Sequence, residues 1–212
     1  MTYTLVFACR AEWVARLLNE ALQHANEVVA LTNKHGFPQW PGWGLLLHGW
    51  SSSASDQEQA GLTLLTKGLS VLRSTGAVIS TPYALVMIAE DHAKLGQPVD
   101  GLTCLAEAAQ IIETTDDRFA EVELHRLRGD LLNATGDQAA AKQSYHRAVA
   151  VAQRQKAKLF ELRAATSLAR LWCNQGKRTE ARDLLAPIYG WFTEGFDTPV
   201  LQAAKALLDQ LG

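Results

Sequence analysis

The segment Gly96-Gln-Pro-Val-Asp-Gly101-Leu102-Thr103 has the outline of a phosphate-binding loop, in which backbone amides cradle the phosphates and a lysine reaches them. Leucine stands where that lysine is needed and no strand precedes the segment, so it is assigned to a turn between two helices. The six histidines, His24, His35, His48, His92, His125 and His146, form no His-Glu-x-x-His pair, and surface or satisfied positions are expected for them. Cys9, Cys104 and Cys173 are odd in number and far apart, with no Cys-x-x-Cys or Cys/His spacing of the structural zinc type. No metal and no cofactor are expected on that spacing, and a reducing, cytoplasmic setting suits the cysteines. No Gly-x-Ser-x-Gly nucleophile signature occurs. Asp116-Asp117 and Glu121 with Glu123 lie near a predicted helix start, where acidic groups offset the helix dipole. The expectation is a chain without catalytic residues.

Charge narrows the partners. The formal charge of -2 and a pI near 6.3 provide no global positive field for nucleic acid or anionic lipid. Arg126, Arg128, Arg147, Arg154, Lys156 and Lys158 make the centre locally basic, but Glu121, Glu123 and Asp130 are interleaved. That pattern predicts a solvated, ion-paired surface and not a nucleic-acid site. The opening Met-Thr-Tyr-Thr-Leu-Val-Phe-Ala-Cys9 lacks the basic region and the apolar length of a signal peptide. No stretch approaches the roughly 20 apolar residues of a membrane span.

The elements that carry these residues follow from a repeat. Gly49, Ala89, Gly129 and Ala169 are spaced by forty, and Gly61, Gly101, Ala141 and Ala181 keep that period twelve residues later. Between them lie the turn formers Asp56, Gly96, Gly136 and Gly176, and after them the large series Leu65, Leu105, Tyr145 and Leu185. Leu124, Leu127, Leu131 and Leu132 recur at helical spacing before Thr135-Gly136-Asp137, and Ala141, Tyr145, Ala148 and Ala152 form the next helical stripe. Glycine costs a helix about 1 kcal/mol against alanine. Small residues at one phase four times over therefore imply a steric demand, that of closely approaching helices.

Small, turn, small and large at these offsets is the spacing of the tetratricopeptide motif, in a unit six residues longer than the usual 34. The expected fold is all-α, a right-handed superhelical solenoid of tetratricopeptide-like hairpins with a 40-residue period. It forms a single repeat domain over 1–212, about five hairpins and a C-terminal capping helix over 199–211. Connections are expected near Gly36, Gly76, Asp116 and Lys156, with Gly36 and Gly76 as left-handed caps. Residues 1–34 admit either two helices, broken at Leu17-Leu18-Asn19, or one long helix. Asp197-Thr198-Pro199 supplies an N-cap and first-turn proline for the last helix.

From about Glu121 onward the sequence resembles the tetratricopeptide tails of large bacterial signalling proteins that carry an adenylate or guanylate cyclase domain, a predicted ATPase, or both. The matching segments are Glu123-Leu-His-Arg-Leu-Arg-Gly-Asp130, Glu161-Leu-Arg-Ala-Ala-Thr-Ser-Leu-Ala-Arg-Leu-Trp172 and Leu185-Ala-Pro-Ile-Tyr-Gly-Trp-Phe-Thr-Glu-Gly-Phe-Asp-Thr198. The first half is similar through Lys34-His-Gly-Phe-Pro38 and Gly49-Trp50, and departs at Ser51 to Asp56. The resemblance implies a regulatory or scaffolding segment and transfers no catalytic residue.

In such a solenoid the first helix of each pair lines a concave face. The repeat phase places Trp43, Tyr83, Glu123 and Arg163 at one groove position and Trp50, Glu90, Asp130 and Arg170 at a second, bordered by Arg126, Asn133 and Asn174. An aromatic and arginine groove suits an extended peptide or a partner helix. The leading expectation is a protein-interaction or regulatory module with a protein or peptide partner. The alternative is a sensor that takes a small effector in the same groove. A hairpin face left uncovered at the start of the chain further predicts a weak homodimer through residues 1–30.

Overall fold

The structure is a computed structural model that describes residues 2–35, 40–53 and 57–212. The positions expected as a left-handed cap at Gly36 and a turn at Asp56 lie outside the described residues. Among the described residues there are eleven helices and no strand, and the chain divides into two compact units, Met1–Ala120 and Glu121–Gly212.

The first unit contains α1 (Thr2–Ala15), α2 (Leu18–His35), α3 (Trp40–Ser53), α4 (Glu58–Ser74), α5 (Thr81–Lys94) and α6 (Pro98–Thr115), each packed on the next. The start of the chain is thus two helices. The break falls at Arg16, whose φ of 63° is left-handed, one residue before the expected Leu17-Leu18-Asn19 turn. The second unit contains α7 (Glu121–Ala134), α8 (Gln138–Gln155), α9 (Lys158–Asn174), α10 (Arg178–Tyr189) and α11 (Pro199–Leu211). Thr198 is the N-cap of α11 and Pro199 its first residue, and α11 packs on α9 and α10 as the expected cap of the last hairpin.

The forty-residue period reappears in the backbone. Second helices begin at Glu58, Pro98, Gln138 and Arg178, and the turns before three of them carry positive φ at Gly96, Gly136 and Gly176. The connections after second helices turn left-handed at Gly76, Asp116 and Lys156, so two of these caps use residues with a Cβ.

The steric origin of the period is visible in α3 and α4. A Cβ added at Gly61 would stand 2.7 Å from the Gly49 carbonyl oxygen, and one at Gly49 would stand 2.8 Å from that of Gly61. Gly42 and Gly68 oppose each other in the same way one helical stretch further on. The large series Leu65, Leu105, Tyr145 and Leu185 is buried throughout. In the second unit Tyr145 and Ala141 pack against Leu168 and Leu171, flanked by Leu132, Trp172 and Leu184. Removing such side chains from water contributes about 1.5–3 kcal/mol each, which is what holds short helices in place.

Candidate functional site

In the second unit α7, α8 and α9 hold a chain of polar side chains. Arg163 Nη2 donates to Glu123 Oε2 at 2.7 Å, and Arg126 Nε donates to the same oxygen at 2.9 Å. Arg126 Nη1 continues to Asp130 Oδ2, and the Tyr145 hydroxyl donates to Asp130 Oδ1 at 2.7 Å. Glu123 has no exposed surface, and its charge together with that of Asp130 balances the two guanidinium groups, so the chain of charges is neutral. Burial, and then the Asp130 carboxylate, push the Tyr145 phenol upward, which keeps it a donor at neutral pH.

Asp130 and Tyr145, at one end of this chain of polar groups, floor a shallow cavity of about 150 Å³ lined also by Asn133, Ser167, Arg170 and Asn174, with Leu171 beside them. The side chains of Asn133, Arg170 and Asn174 make no hydrogen bond or ion pair among the described residues. Two amides that each offer donors and an acceptor, and one free guanidinium, therefore converge on one spot. The amides match the N–H and C=O of an extended backbone, and the guanidinium matches a carboxylate.

Three of the six cations of the basic stretch are ion-paired among the described residues: Arg126 as above, Lys158 with Glu161 at 2.8 Å and Arg154 with Glu121 at 3.5 Å. Burial, with Arg147, Arg128 and Arg154 nearby, pushes the His125 imidazole down to about 4, so it is neutral at physiological pH.

Of the eleven groove residues expected from the repeat phase, Asp130, Asn133, Arg170 and Asn174 line this cavity, and Glu123, Arg126 and Arg163 form the buried framework behind it. The remaining four lie in the first unit and call for a correction. Trp43, Trp50, Tyr83 and Glu90 do not project into open solvent but are buried there. Tyr83 is surrounded by the rings of Trp13 at 4.8 Å, Phe119 at 5.7 Å and Trp43 at 5.8 Å, and Arg16 closes over Glu90 at 2.7 Å. The reason is that aromatic rings one period apart are large enough to fill the space between first helices.

Sequence reasoning missed Arg10, a lone cation in an apolar run. Its guanidinium carbon lies 4.8 Å from the Phe119 ring centre and 5.5 Å from those of Phe7 and Trp43, and its Nη2 donates to the Ser80 hydroxyl. Ser80 holds a left-handed φ of 75°, with its N–H donated to Asp117 Oδ2 at 2.7 Å. These residues border a cavity of about 430 Å³ lined by Phe7, Arg10, Trp40, Trp43, Val78 and Ile79. Ser167 and Tyr145 were also missed as cavity residues. Tyr145 carried a signal, being the one hydroxyl-bearing member of an otherwise leucine series.

No protein-family model matches the chain. An uncharacterised protein of Rhizobium meliloti (strain 1021) is 28% identical over 165 residues, which is 76% of this chain and 16% of the relative. The chain thus spans less than a fifth of that relative's length. Among solved structures, Rap protein complexed with competence and sporulation factor superposes with a TM-score of 0.75 at 14% identity, over 99% of this chain and 57% of that one. A signal transduction ATPase with numerous domains from Pyrococcus horikoshii, which has a tetratricopeptide repeat sensor, superposes with a TM-score of 0.64 at 12% identity, over 98% of this chain and 33% of that one. The fold is therefore an all-helical solenoid of tetratricopeptide-like hairpins. No helix among the described residues is long and apolar enough to cross a membrane.

Proposed function

We propose that the chain is a non-catalytic protein-interaction module whose second unit binds an extended peptide across α7 and α9. The observation that carries this reading is the convergence of three unengaged polar side chains, Asn133, Arg170 and Asn174, on a cavity floored by the Tyr145–Asp130 hydrogen bond. Asparagine amides recognise backbone without regard to sequence, and a free arginine selects a carboxylate, so an acidic peptide fits. The Rap structure, solved with a bound factor, supports a partner-binding role by fold likeness. The resemblance to cyclase and ATPase tails, together with the length of the Rhizobium relative, supports a place within a larger bacterial signalling protein. In the same proposal the protein works in the cytoplasm. Phe7, 61% exposed, and Leu22, 38% exposed, supply apolar surface for a weak dimer through residues 1–30. Light scattering that gives a monomer mass at high concentration overturns that dimer.

Peptide-array selection on the whole chain tests the reading. Peptides retained by the wild type should carry an acidic residue. They should lose about tenfold in affinity for each of Asn133→Ala, Arg170→Ala and Asn174→Ala, the cost of one hydrogen bond of about 1.4 kcal/mol. Peptides bound equally by the triple variant, with helicity intact, would move the site elsewhere.

A second reading, a small-effector sensor, draws on the first unit. Its 430 Å³ cavity is walled mainly by apolar side chains and holds one half-buried guanidinium, whose Nε has no hydrogen-bond partner among the described residues. A panel of aromatic carboxylic acids that raises the melting temperature of the wild type but not of Arg10→Met would favour it. Equal shifts in both would dismiss it.

A further inference from the structure

The first unit brings together three groups of metal-ligand type, Cys9, Glu12 and His24, that span fifteen residues in sequence and belong to no spacing motif. Cys9 and Glu12 stand at i and i+3 on α1, hence on one face, and His24 comes from the facing side of α2. One ligand atom from each, the Cys9 sulfur, a Glu12 oxygen and a His24 ring nitrogen, all lie within 4.8 Å of one another. Glu12 Oε1 and His24 Nδ1 are 2.6 Å apart. That pair alone does not account for the rest of the cluster. Glu12 is 8% exposed, and its second oxygen, Oε2, is buried with no hydrogen-bond partner among the described residues. A native fold rarely leaves a buried carboxylate oxygen unmatched unless something else satisfies it.

We propose that Cys9, Glu12 and His24 form a binding site for a divalent ion of the zinc class, which ties α1 to α2. The donor set is one sulfur, one oxygen and one nitrogen, the mixture that a borderline-soft ion accepts in tetrahedral geometry with a fourth position left for water. Metal–ligand bonds of about 2.0–2.3 Å place tetrahedral donors about 3.3–3.8 Å apart, so side-chain rotation that closes the separations of up to 4.8 Å and opens the 2.6 Å Glu12–His24 pair would seat the ion. Charge favours the same ion. A thiolate, a carboxylate and a neutral imidazole around a dication sum to zero, which suits a site where Cys9 is wholly buried. Binding releases the thiol proton and any proton held by His24 to solvent, and no electron is transferred. His24 is the partly exposed member and provides the way in.

Titration with cobalt(II) alone tests the site, because a thiolate ligand gives a near-ultraviolet charge-transfer band that carboxylate and imidazole sites lack. The protein is the whole chain, reduced, with Cys104→Ser and Cys173→Ser, so that Cys9 is its single thiol. The expected result is a band that saturates at one equivalent, is abolished by zinc(II), and is absent from Cys9→Ala. Glu12→Gln and His24→Gln should each turn the sharp titration into a shallow one. No band in the parent, or an unchanged titration in His24→Gln, overturns the proposal. Since His24 is at the surface, that variant decides the matter even if Cys9→Ala loses its helicity. Peptide selection by the second unit is read separately, so failure here leaves that reading standing.

Discussion

Replacing Gly129 with alanine isolates the force that sets the repeat. A Cβ at this position would lie 2.4 Å from Tyr145 Cε1 and 2.6 Å from its Cδ1, against the roughly 3.5–4.0 Å of a normal carbon contact. The ring must therefore retreat by about 1 Å. It is 3% exposed and its hydroxyl is tethered to Asp130 at 2.7 Å, so it has little room to do so. Overpacking of this kind costs about 1–3 kcal/mol and a weakened hydrogen bond about 1 more, while alanine returns about 1 through helix propensity. Gly129→Ala should accordingly destabilise the chain by about 1–3 kcal/mol in urea unfolding followed by helical ellipticity. The same change in a Tyr145→Leu background should be neutral or stabilising by up to about 1 kcal/mol, because leucine at this phase is what Leu65, Leu105 and Leu185 already show. A double-mutant cycle with coupling of about 1–4 kcal/mol follows. If Gly129→Ala has the same effect in both backgrounds, close helix approach is not the reason for the small residue.

Two further perturbations test the framework. Asp91 accepts a hydrogen bond from the Ser53 hydroxyl, and burial pushes its carboxyl up from 3.8 to about 6. The folded chain thus keeps a proton that the unfolded chain releases, so this stability is complete below about pH 4 and is lost as pH rises through 6. Asp91→Asn should flatten the melting temperature between pH 4 and 7 and raise it at pH 7.5; parallel curves for wild type and variant refute the assignment. Lys156 closes α8 with a left-handed φ of 55°, a conformation that costs a residue with a Cβ about 1–2 kcal/mol. Lys156→Gly is expected to be neutral or stabilising by up to about 1 kcal/mol after the entropy gained by the unfolded chain, and a loss above that in urea unfolding refutes it.

Helix boundaries and turns were legible because their causes are local: a glycine that turns left-handed, or a proline at a first turn, acts within a few residues. Exposure on the first helices was not, because it depends on what stands one period away. Trp43 and Tyr83 are forty apart and stack on each other, and Glu123 and Arg163 are forty apart and pair at 2.7 Å. Residues of equal phase are neighbours, so two that satisfy each other disappear from the surface. The Cys9, Glu12 and His24 cluster escaped for a related reason, since its members come from a hairpin whose interface no spacing rule describes.

Asp130 and Arg170 are also forty apart and of opposite charge, yet Arg170 stays exposed without an ion-pair partner among the described residues. Each Asp130 oxygen already accepts one hydrogen bond, from Arg126 or from Tyr145, so Arg170 would have to share an oxygen with a bound donor. Tyr145→Phe frees one oxygen, and Arg170 is then the nearest unengaged cation lining the same cavity. Coupling between Asp130 and Arg170 in a double-mutant cycle should rise from near zero to about 0.5–1 kcal/mol in the Tyr145→Phe background, the range of a partly exposed pair. Peptide affinity should fall together with it, although Asn133, Arg170 and Asn174, the side chains proposed to bond the peptide, are unchanged. Equal coupling in both backgrounds would mean that Arg170 is kept free by something other than its neighbour's commitments.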